Sequence, residues 1–599
     1  MLDAERIASR VVERHRRSPA HLLQILVDVQ ESIGYLPGAA LARVAGLLEL
    51  PYAQVRGVAE FYAFLHLEPV GRYRILFPDN ITDRMQGAPS LMTRLCALLE
   101  VDENMVAADG LVSIARTSCA GLCDQGPSLL INGRPITRLD EERLAAIADL
   151  IRRKADLADW PAAFFVVADN VRRRDALLRE PFSAGSALQV AARRGRGQWL
   201  EDVRDAGLRG RGGAGFATAV KWAACRDAPA ADRVVVCNAD EGEPGTFKDR
   251  VLLSACADQV IEGMTLAAWA TGARQGFVYL RGEYRYLLPH LQRVLTLRRA
   301  AGLLGAGILG ETGFDFDIEI HLGAGAYVCG EETALLESLQ GKRGTPRLRP
   351  PFPVTSGYLG RPTVVNNVET FAHATQIALR GSAAYAALGT PQSRGTKLLS
   401  ISGDCERPGV YEYPFGVSIA QVLGECGAAN PAFVQVGGAA GVMLSRSEFD
   451  RRIAFEDVPS AGALMVFDAS RDPFEVARNF VEFFAHESCG FCTPCRVGTA
   501  LLKGYMDKLA AGQGAKADLA DIDWLDRLLK QASHCGLGAS APNAVIDSLA
   551  KFRPAYERRL HSLEFQPAFD LDGALDAARR STGRDDPAAH LATREGEAR

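Results

Sequence analysis

The sequence has no apolar run near the roughly 18 residues that cross a membrane. Its opening, MLDAERIASRVVERHRR, lacks the apolar core of a secretory signal. A cytoplasmic protein with no membrane span is expected. Positive charge is not in surplus either. The 68 Lys and Arg residues face 72 Asp and Glu, and a net charge of −4 gives no global basic field for nucleic acid. Disulfides are not expected, although there are 13 cysteines, because a reducing compartment keeps thiols free. Cys96, Cys225, Cys237, Cys256, Cys405 and Cys426 stand singly and read as small buried hydrophobes. What remains is a globular composition, 48% hydrophobic and 23% charged, in a 599-residue chain long enough for about three to five domains.

The densest chemistry lies in ESCGFCTPCRVG, from Glu487 to Gly498. Cys489, Cys492 and Cys495 follow C-x2-C-x2-C spacing, and Cys535 stands downstream in HCGLG. Three adjacent thiolates can hold three corners of an iron–sulfur cube, and a remote cysteine closes the fourth. Structural zinc usually takes two separated pairs of ligands, so a triplet plus a singleton favours the cluster.

Taken in order, residues 1–70 read as helices. Leu22, Leu26, Val29 and Ile33 recur at helical spacing before Gly34, and Pro51 opens a helix carrying Val55, Val58, Tyr62 and Leu65 on one face. Strand-like runs begin at Arg72, Leu111 and Ser128, interleaved with helical segments from Pro89 and Asp140, which predicts a small α/β unit. Cys119 and Cys123 form a C-x3-C pair there, but the loop FPDNITDRMQG after the first strand offers no cysteine, so two unmetallated thiols are expected. Residues 151–180 read as a charged connector. In GLRGRGGAGFATAVKW, Gly210, Gly212 and Gly215 fit G-x-G-x-x-G, yet the preceding WLEDVRDAGL is polar and helix-like, which excludes a Rossmann fingerprint. A loop that lets backbone N–H groups approach an anion remains, with Arg209, Arg211 and Lys221 nearby. The strand RVVVCN runs into Asn238, Asp240, Glu241 and Glu243, either a ligand-binding strand end or a solvated acidic turn. FDIEIHLGAGAYVCGEETALLESLQG repeats that plan, and Glu331 and Glu332 also suit a helix N-terminus through its dipole alone.

GLRGRGGAGF, NADEGEPGT, GAGAYVCGEETALLESLQG, RLRPPFP, VVNNVETF and ESCGFCTPCRVG, in this order over residues 175–560, resemble the NADH-binding flavoprotein subunit of respiratory complex I. The same module occurs in NAD-reducing hydrogenases and NAD-dependent formate dehydrogenases. Residues 1–150 resemble the thioredoxin-like partner subunit, and the fused layout resembles the diaphorase flavoprotein subunits of soluble NAD-reducing [NiFe]-hydrogenases. The implied fold is multidomain α/β and α+β. It comprises a helical plus thioredoxin-like domain at 1–150, a connector at 151–180, and an FMN- and NADH-binding domain at 181–397. A ubiquitin-like β-grasp domain at 398–470, a [4Fe–4S] helical bundle at 471–560 and a partly disordered or partner-docked tail at 561–599 complete it.

The resemblance also implies FMN, one [4Fe–4S] cluster on Cys489, Cys492, Cys495 and Cys535, and NAD as substrate. It places the cofactors at Gly210, Arg211, Gly212, Gly213, Lys221, Asn238, Asp240, Glu241, Gly330, Glu331, Asn366, Asn367 and Thr370. The nicotinamide would lie near Phe216 and Phe352 and meet Glu243 and Glu332, with Phe216 and Glu332 at the reacting ring. Arg349 stands where many relatives have lysine and would face the nucleotide's phosphates or nearby acids. In the N-terminal domain, Pro78 and Asp83 fall where the related [2Fe–2S] site has cysteines. The chain lacks C-x2-C pairs near both ends, which a [NiFe] site requires, and a second ferredoxin-like cysteine run. Its electrons therefore leave through an iron–sulfur partner subunit, toward hydrogenase subunits on the fused layout. A complex I-like enzyme or formate dehydrogenase is the alternative, and a degenerate structural module the non-enzymatic one.

Overall fold

A computed structural model describes residues 2–179, 181–561 and 571–585. The chain begins with helices Leu2–Arg14, Leu22–Ile33, Gly38–Leu48 and Tyr52–Phe61. Leu22, Leu23, Ile25, Leu26 and Val29 form the buried stripe of the second, which ends where Gly34 takes a left-handed conformation. Tyr62 and Leu65 do not continue the fourth helix as their spacing predicts. The chain leaves it at Phe61, and Tyr62 donates its hydroxyl across a domain boundary to the Lys342 carbonyl (2.8 Å).

Strands β1 (Tyr73–Pro78), β2 (Val112–Thr117), β3 (Leu129–Ile131) and β4 (Arg134–Ile136) make a sheet of order β2-β1-β3-β4. β1 and β2 are parallel, and the helix Ala88–Leu99 supplies their crossover. β4 is a three-residue strand with proline at its centre, which hides it from a periodicity reading. The connector also contributes structure: β5 (Val171–Arg173) leaves it to pair with a later sheet.

The next unit holds β6 (Val234–Ala239), β7 (Gln275–Leu280), β8 (Asp317–Leu322) and β9 (Thr363–Asn367), in order β8-β7-β6-β9 and parallel throughout. Ligands of such sheets bind beyond the carboxyl ends of the strands. The polar runs after β6, β8 and β9 all emerge there. β10 (Thr396–Gly403), β11 (Gly409–Pro414), β12 (Pro431–Val436), β13 (Val442–Ser445) and β14 (Ala463–Asp468) then form a mixed sheet, extended by β5 beside β11. The helix Ile419–Cys426 packs on it, as in a β-grasp. Helices Pro473–Glu487, Thr493–Ala510, Lys516–Ala532 and Asn543–Lys551 form the last bundle, its core built on Phe474, Phe480, Phe484, Leu502 and Ile522.

The thioredoxin-like unit touches both neighbours. Arg250 and Asp124 make a buried ion pair (2.9 Å) to the parallel-sheet unit, and Arg84 reaches Glu482 (3.0 Å) in the bundle. Of the tail expected from 561, Leu571–Thr582 is helical. The disorder expected of its last 15 or so residues falls almost wholly outside the described residues. Among the described residues no single helix is long and apolar enough to cross a membrane.

Candidate functional site

A cleft opens where the parallel-sheet unit, the β-grasp unit and the bundle meet. It has two chambers, of about 650 and 550 Å³, whose common wall includes Gly212, Asn238, Gly330, Glu331, Asn367 and Gly536. Each chamber falls within the roughly 300–1,000 Å³ range of small-molecule sites.

The first chamber gathers Gly210, Phe216, Lys221, Glu332, Arg349, Phe352, Asn366 and Thr370 from four stretches of chain. Phe216 and Phe352 are both more than half exposed, free to stack on a planar guest. Lys221, on the helix Thr218–Asp227, donates to Glu332 Oε2 (2.8 Å) and to the Val365 carbonyl (3.1 Å). Glu331 caps the helix Glu332–Leu339: its Oε2 accepts from the N–H groups of Thr333 and Ala334, both at 2.9 Å. That leaves its Oε1 toward Arg349, 3.7 Å away. Asn366 Oδ1 accepts from Trp222 (2.8 Å), and Asn238 donates to the Gly330 carbonyl (2.8 Å). The two adjacent glutamates therefore have separate duties, one structural and one facing the lysine.

The second chamber holds Gly213, Asp240, Glu241 and Glu243, closed from the β-grasp side by Gly437, Ala440, Ser460 and Ala461. Gly213 has φ +117°, a conformation that side-chain-bearing residues rarely adopt. Burial pushes the Glu243 carboxyl up to about 7, against hydrogen bonds from Tyr327 (2.6 Å) and Ala440 N–H (2.9 Å) that pull it down. Gly438 is needed beside it, because a Cβ there would come within 2.3 Å of Glu243 Cγ. Glu241 is likewise raised to about 7 by burial, and it caps the helix Lys248–Ala255 through the N–H groups of Asp249 (2.8 Å) and Arg250 (3.1 Å). Asp240 is driven well above the usual carboxylate range by burial and leaves Oδ2 with no partner among the described residues.

Arg211 is the exception among the sequence-derived residues. Its place in the glycine-rich loop predicts that it faces an anion, but its guanidinium is buried away from both chambers. It donates to the Thr396, Arg209 and Arg394 carbonyls and to the Tyr385 hydroxyl. Only its backbone N–H faces the site's residues, donating to Thr370 Oγ1 (2.9 Å). Sequence reasoning also missed Lys248, which lines the second chamber between Asp249 (2.6 Å) and Glu369 (3.1 Å). Burial alone would raise the Glu369 carboxyl, but Lys397, Lys248 and His373 outweigh it and hold it well below its ordinary range. The lone Lys in GTFKDR gave no sequence signal, since its partner Glu369 is more than a hundred residues away.

The four cysteines converge beside this cleft. Gly490, in the left-handed conformation, turns the chain between Cys489 and Cys492, and Cys492 and Cys535 each precede a helix. Burial, with Ser488 opposing, and the neighbouring charges of Cys492, Cys535 and Cys489 push the Cys495 thiol up to about 11. All three of the other thiols therefore lie close enough to act on Cys495, and four cysteines are the donor set that a [4Fe–4S] cluster takes. Cys535 and Gly536 also line the second chamber, so this group of cysteines adjoins the cleft wall. For FMN, the glycine loop that lines both chambers at Gly212 and the Asp240 oxygen without a described partner are compatible with a bound polar ring system and phosphate.

Cys119 and Cys123 are buried with their sulfurs 3.4 Å apart. What faces them from the loop after β1 is Asn80, its Oδ1 4.0 Å from Cys123, followed by Thr82 and Asp83 in one hydrogen-bonded turn. Two thiols with an amide, a hydroxyl and a carboxyl do not fit a [2Fe–2S] site, which takes four cysteines or replaces two by histidine.

The chain matches three family descriptions: Nuo51 FMN-binding domain over residues 203–376, thioredoxin-like [2Fe–2S] ferredoxin over 8–152, and NADH-ubiquinone oxidoreductase-F iron-sulfur binding region over 475–559. It is 42% identical to the NAD-reducing hydrogenase HoxS subunit alpha of Cupriavidus necator, over 94% of this chain and 96% of that one. It is 39% identical to an NADH-quinone oxidoreductase subunit of Rhizobium meliloti, over 65% of this chain and 96% of that one. A chain of the NAD+-reducing [NiFe]-hydrogenase, crystallised in the H2-reduced state, superposes with a TM-score of 0.88 at 44% identity, covering 96% of this chain and 98% of that one.

Proposed function

The chain belongs to the family of NAD-reducing hydrogenase alpha subunits, and we propose that it exchanges hydride between NAD(H) and FMN and delivers single electrons through a [4Fe–4S] cluster to partner subunits. The observation that carries this is the shared wall: Cys535, which we assign to the cluster, lines the cleft that we assign to the nucleotide and flavin. FMN, when bound, supplies the chemistry that turns a two-electron hydride into one-electron steps. The chain's own residues bind and orient. Phe216 and Phe352 offer stacking faces, Lys221 and Glu332 fix polar groups at the mouth, and the β-grasp wall narrows access by water. Orientation of the reacting rings is the protein's main contribution to hydride transfer.

The partner we assign is an iron–sulfur electron-transfer subunit, followed by hydrogenase subunits, in a cytoplasmic hetero-oligomer. Full-length coverage of the hydrogenase alpha subunit, thioredoxin-like unit included, supports this over a quinone-reducing assembly. Co-purification of the untagged partners with a chain tagged at one end tests it: hydrogenase subunits are expected, and a membrane quinone reductase would overturn the choice.

Two further outcomes follow from the site. Iron analysis of the isolated chain should give about four irons per FMN, the content of one [4Fe–4S] cluster. A ratio near about six, with a [2Fe–2S] resonance signal, would contradict the ligand set around Cys119 and Cys123. The second concerns Glu243. Its folded-state value is raised, so its contribution to stability is full below the unfolded value of 4.5 and is lost as pH rises through about 7. Above that pH a carboxylate stands in the chamber wall and repels an anionic nucleotide. KM for NADH should therefore rise about threefold between about pH 6 and 8, and Glu243→Gln should flatten that rise. An unchanged profile in the variant would remove Glu243 from the nucleotide site.

A further inference from the structure

A second polar cluster lies outside the cleft, on the seam between the N-terminal helices and the parallel sheet. His21 ends the turn Pro19–His21, just before the helix Leu22–Ile33. Glu319 and His321 stand two residues apart on β8 and so share one face of the sheet. The seam is pinned beside them: the Gln24 side chain donates to the Leu322 carbonyl (2.8 Å) and accepts the Leu322 N–H (3.1 Å). One ring nitrogen each from His21 and His321 and one carboxylate oxygen from Glu319 all lie within 4.8 Å of one another.

These side chains are poorly explained as packing. His321 is 5% exposed, and its Nε2 approaches Glu319 only to 3.8 Å, too far for a hydrogen bond. Nδ1 of His21 is buried with no hydrogen-bond partner among the described residues. Buried polar atoms normally find partners, and an imidazole with an unpaired nitrogen, set beside a second imidazole and a carboxylate, has the makings of a ligand site. His15 stands behind, its ring 5.7 Å from that of His21 and its Nε2 held at 2.7 Å by Asp28.

We propose that His21, Glu319 and His321 bind a divalent transition-metal ion of zinc's class, with solvent completing its shell, and that the ion clips the N-terminal helices to the parallel sheet. Two imidazoles and a carboxylate are ligands that suit zinc, whereas magnesium and calcium take oxygen. Ligand bonds of about 2.0–2.1 Å place tetrahedral donor atoms about 3.3 Å apart, so the set must contract by up to about 1.5 Å. Glu319 has the freedom to supply that, because 57% of its side chain is exposed. The same exposure gives the ion its entry. The site is structural and belongs to no step of the hydride or electron path.

The test uses the untagged full-length protein loaded with FMN and cluster, stripped of loose metal by dialysis and then titrated with zinc or cobalt. Wild type should bind one zinc per chain saturably, give cobalt ligand-field bands, and melt at a higher temperature with zinc than without. His21→Gln and Glu319→Gln should each weaken zinc binding more than about tenfold and abolish the thermal shift, with NADH–dye activity at the wild-type level as proof of folding. The double variant Cys119→Ser/Cys123→Ser should bind zinc as wild type does. No saturable zinc in wild type, unchanged affinity in His21→Gln and Glu319→Gln, or loss of the zinc in the cysteine double variant would each overturn the site.

Discussion

Replacing Cys535 by serine should cut electron delivery to the partner subunit by more than about a hundredfold while NADH still bleaches the flavin in a stopped-flow trace. A serine oxygen is a poor substitute for thiolate at a cluster iron, and a displaced ligand costs the cube its fourth corner. Cys535 also lines the cleft, so the change falls where the proposed flavin and cluster sites adjoin. In the proposed division of the cleft, hydride exchange is assigned instead to Lys221, Glu332 and the phenylalanines that line the other chamber. The two steps should separate cleanly: rapid bleaching, normal FMN content, and no reduction of the partner's centres. Transfer to the partner at the wild-type rate would remove Cys535 from the cluster. Loss of bleaching together with transfer would show that the cleft itself collapsed, and the reading of one shared wall with two functions would then fail.

The parts of this site that are legible in the sequence are those encoded within a few residues. C-x2-C-x2-C spacing requires no knowledge of the fold, and neither does the polar run that ends β6. The cap formed by Glu331 is equally local, and its dipole explanation and its place in the cleft wall prove compatible, since one carboxylate oxygen does each. What escapes is long-range or directional. Lys248 meets Glu369 only once β6 and β9 lie side by side, and the β-grasp wall at Ala440 and Ser460 comes from a different domain. Arg211 misleads because a basic residue in a glycine-rich loop suggests an anion. Its side chain turns instead to Tyr385 and Arg394, and spacing carries no information about which side of a loop a side chain leaves from. β4 and β5, three residues each, are too short for any periodicity to mark.

Glu332→Gln should lower kcat/KM for NADH-dependent dye reduction about thirtyfold, or about 2 kcal/mol, with FMN content unchanged. The carboxylate is the acceptor for Lys221 at 2.8 Å, and the pair is only partly exposed, at 17% and 24% of the two side chains. A charge-assisted hydrogen bond in such surroundings is stronger than the neutral bond an amide offers, and the lysine would swing toward its remaining acceptor, the Val365 carbonyl. The orienting group at the nicotinamide would then be lost while the pocket kept its shape. Glu331 provides the contrast. Its removal in Glu331→Ala takes away a helix cap, worth about 1 kcal/mol, and loosens the wall common to both chambers. That variant should lose FMN and melt earlier, yet turn over normally per flavin retained. Steady-state kinetics normalised to bound flavin separate the two cases. If Glu332→Gln loses FMN and keeps its turnover per flavin, the roles of the adjacent carboxylates are the reverse of those assigned, and the lysine pair belongs to the flavin and not to the nucleotide.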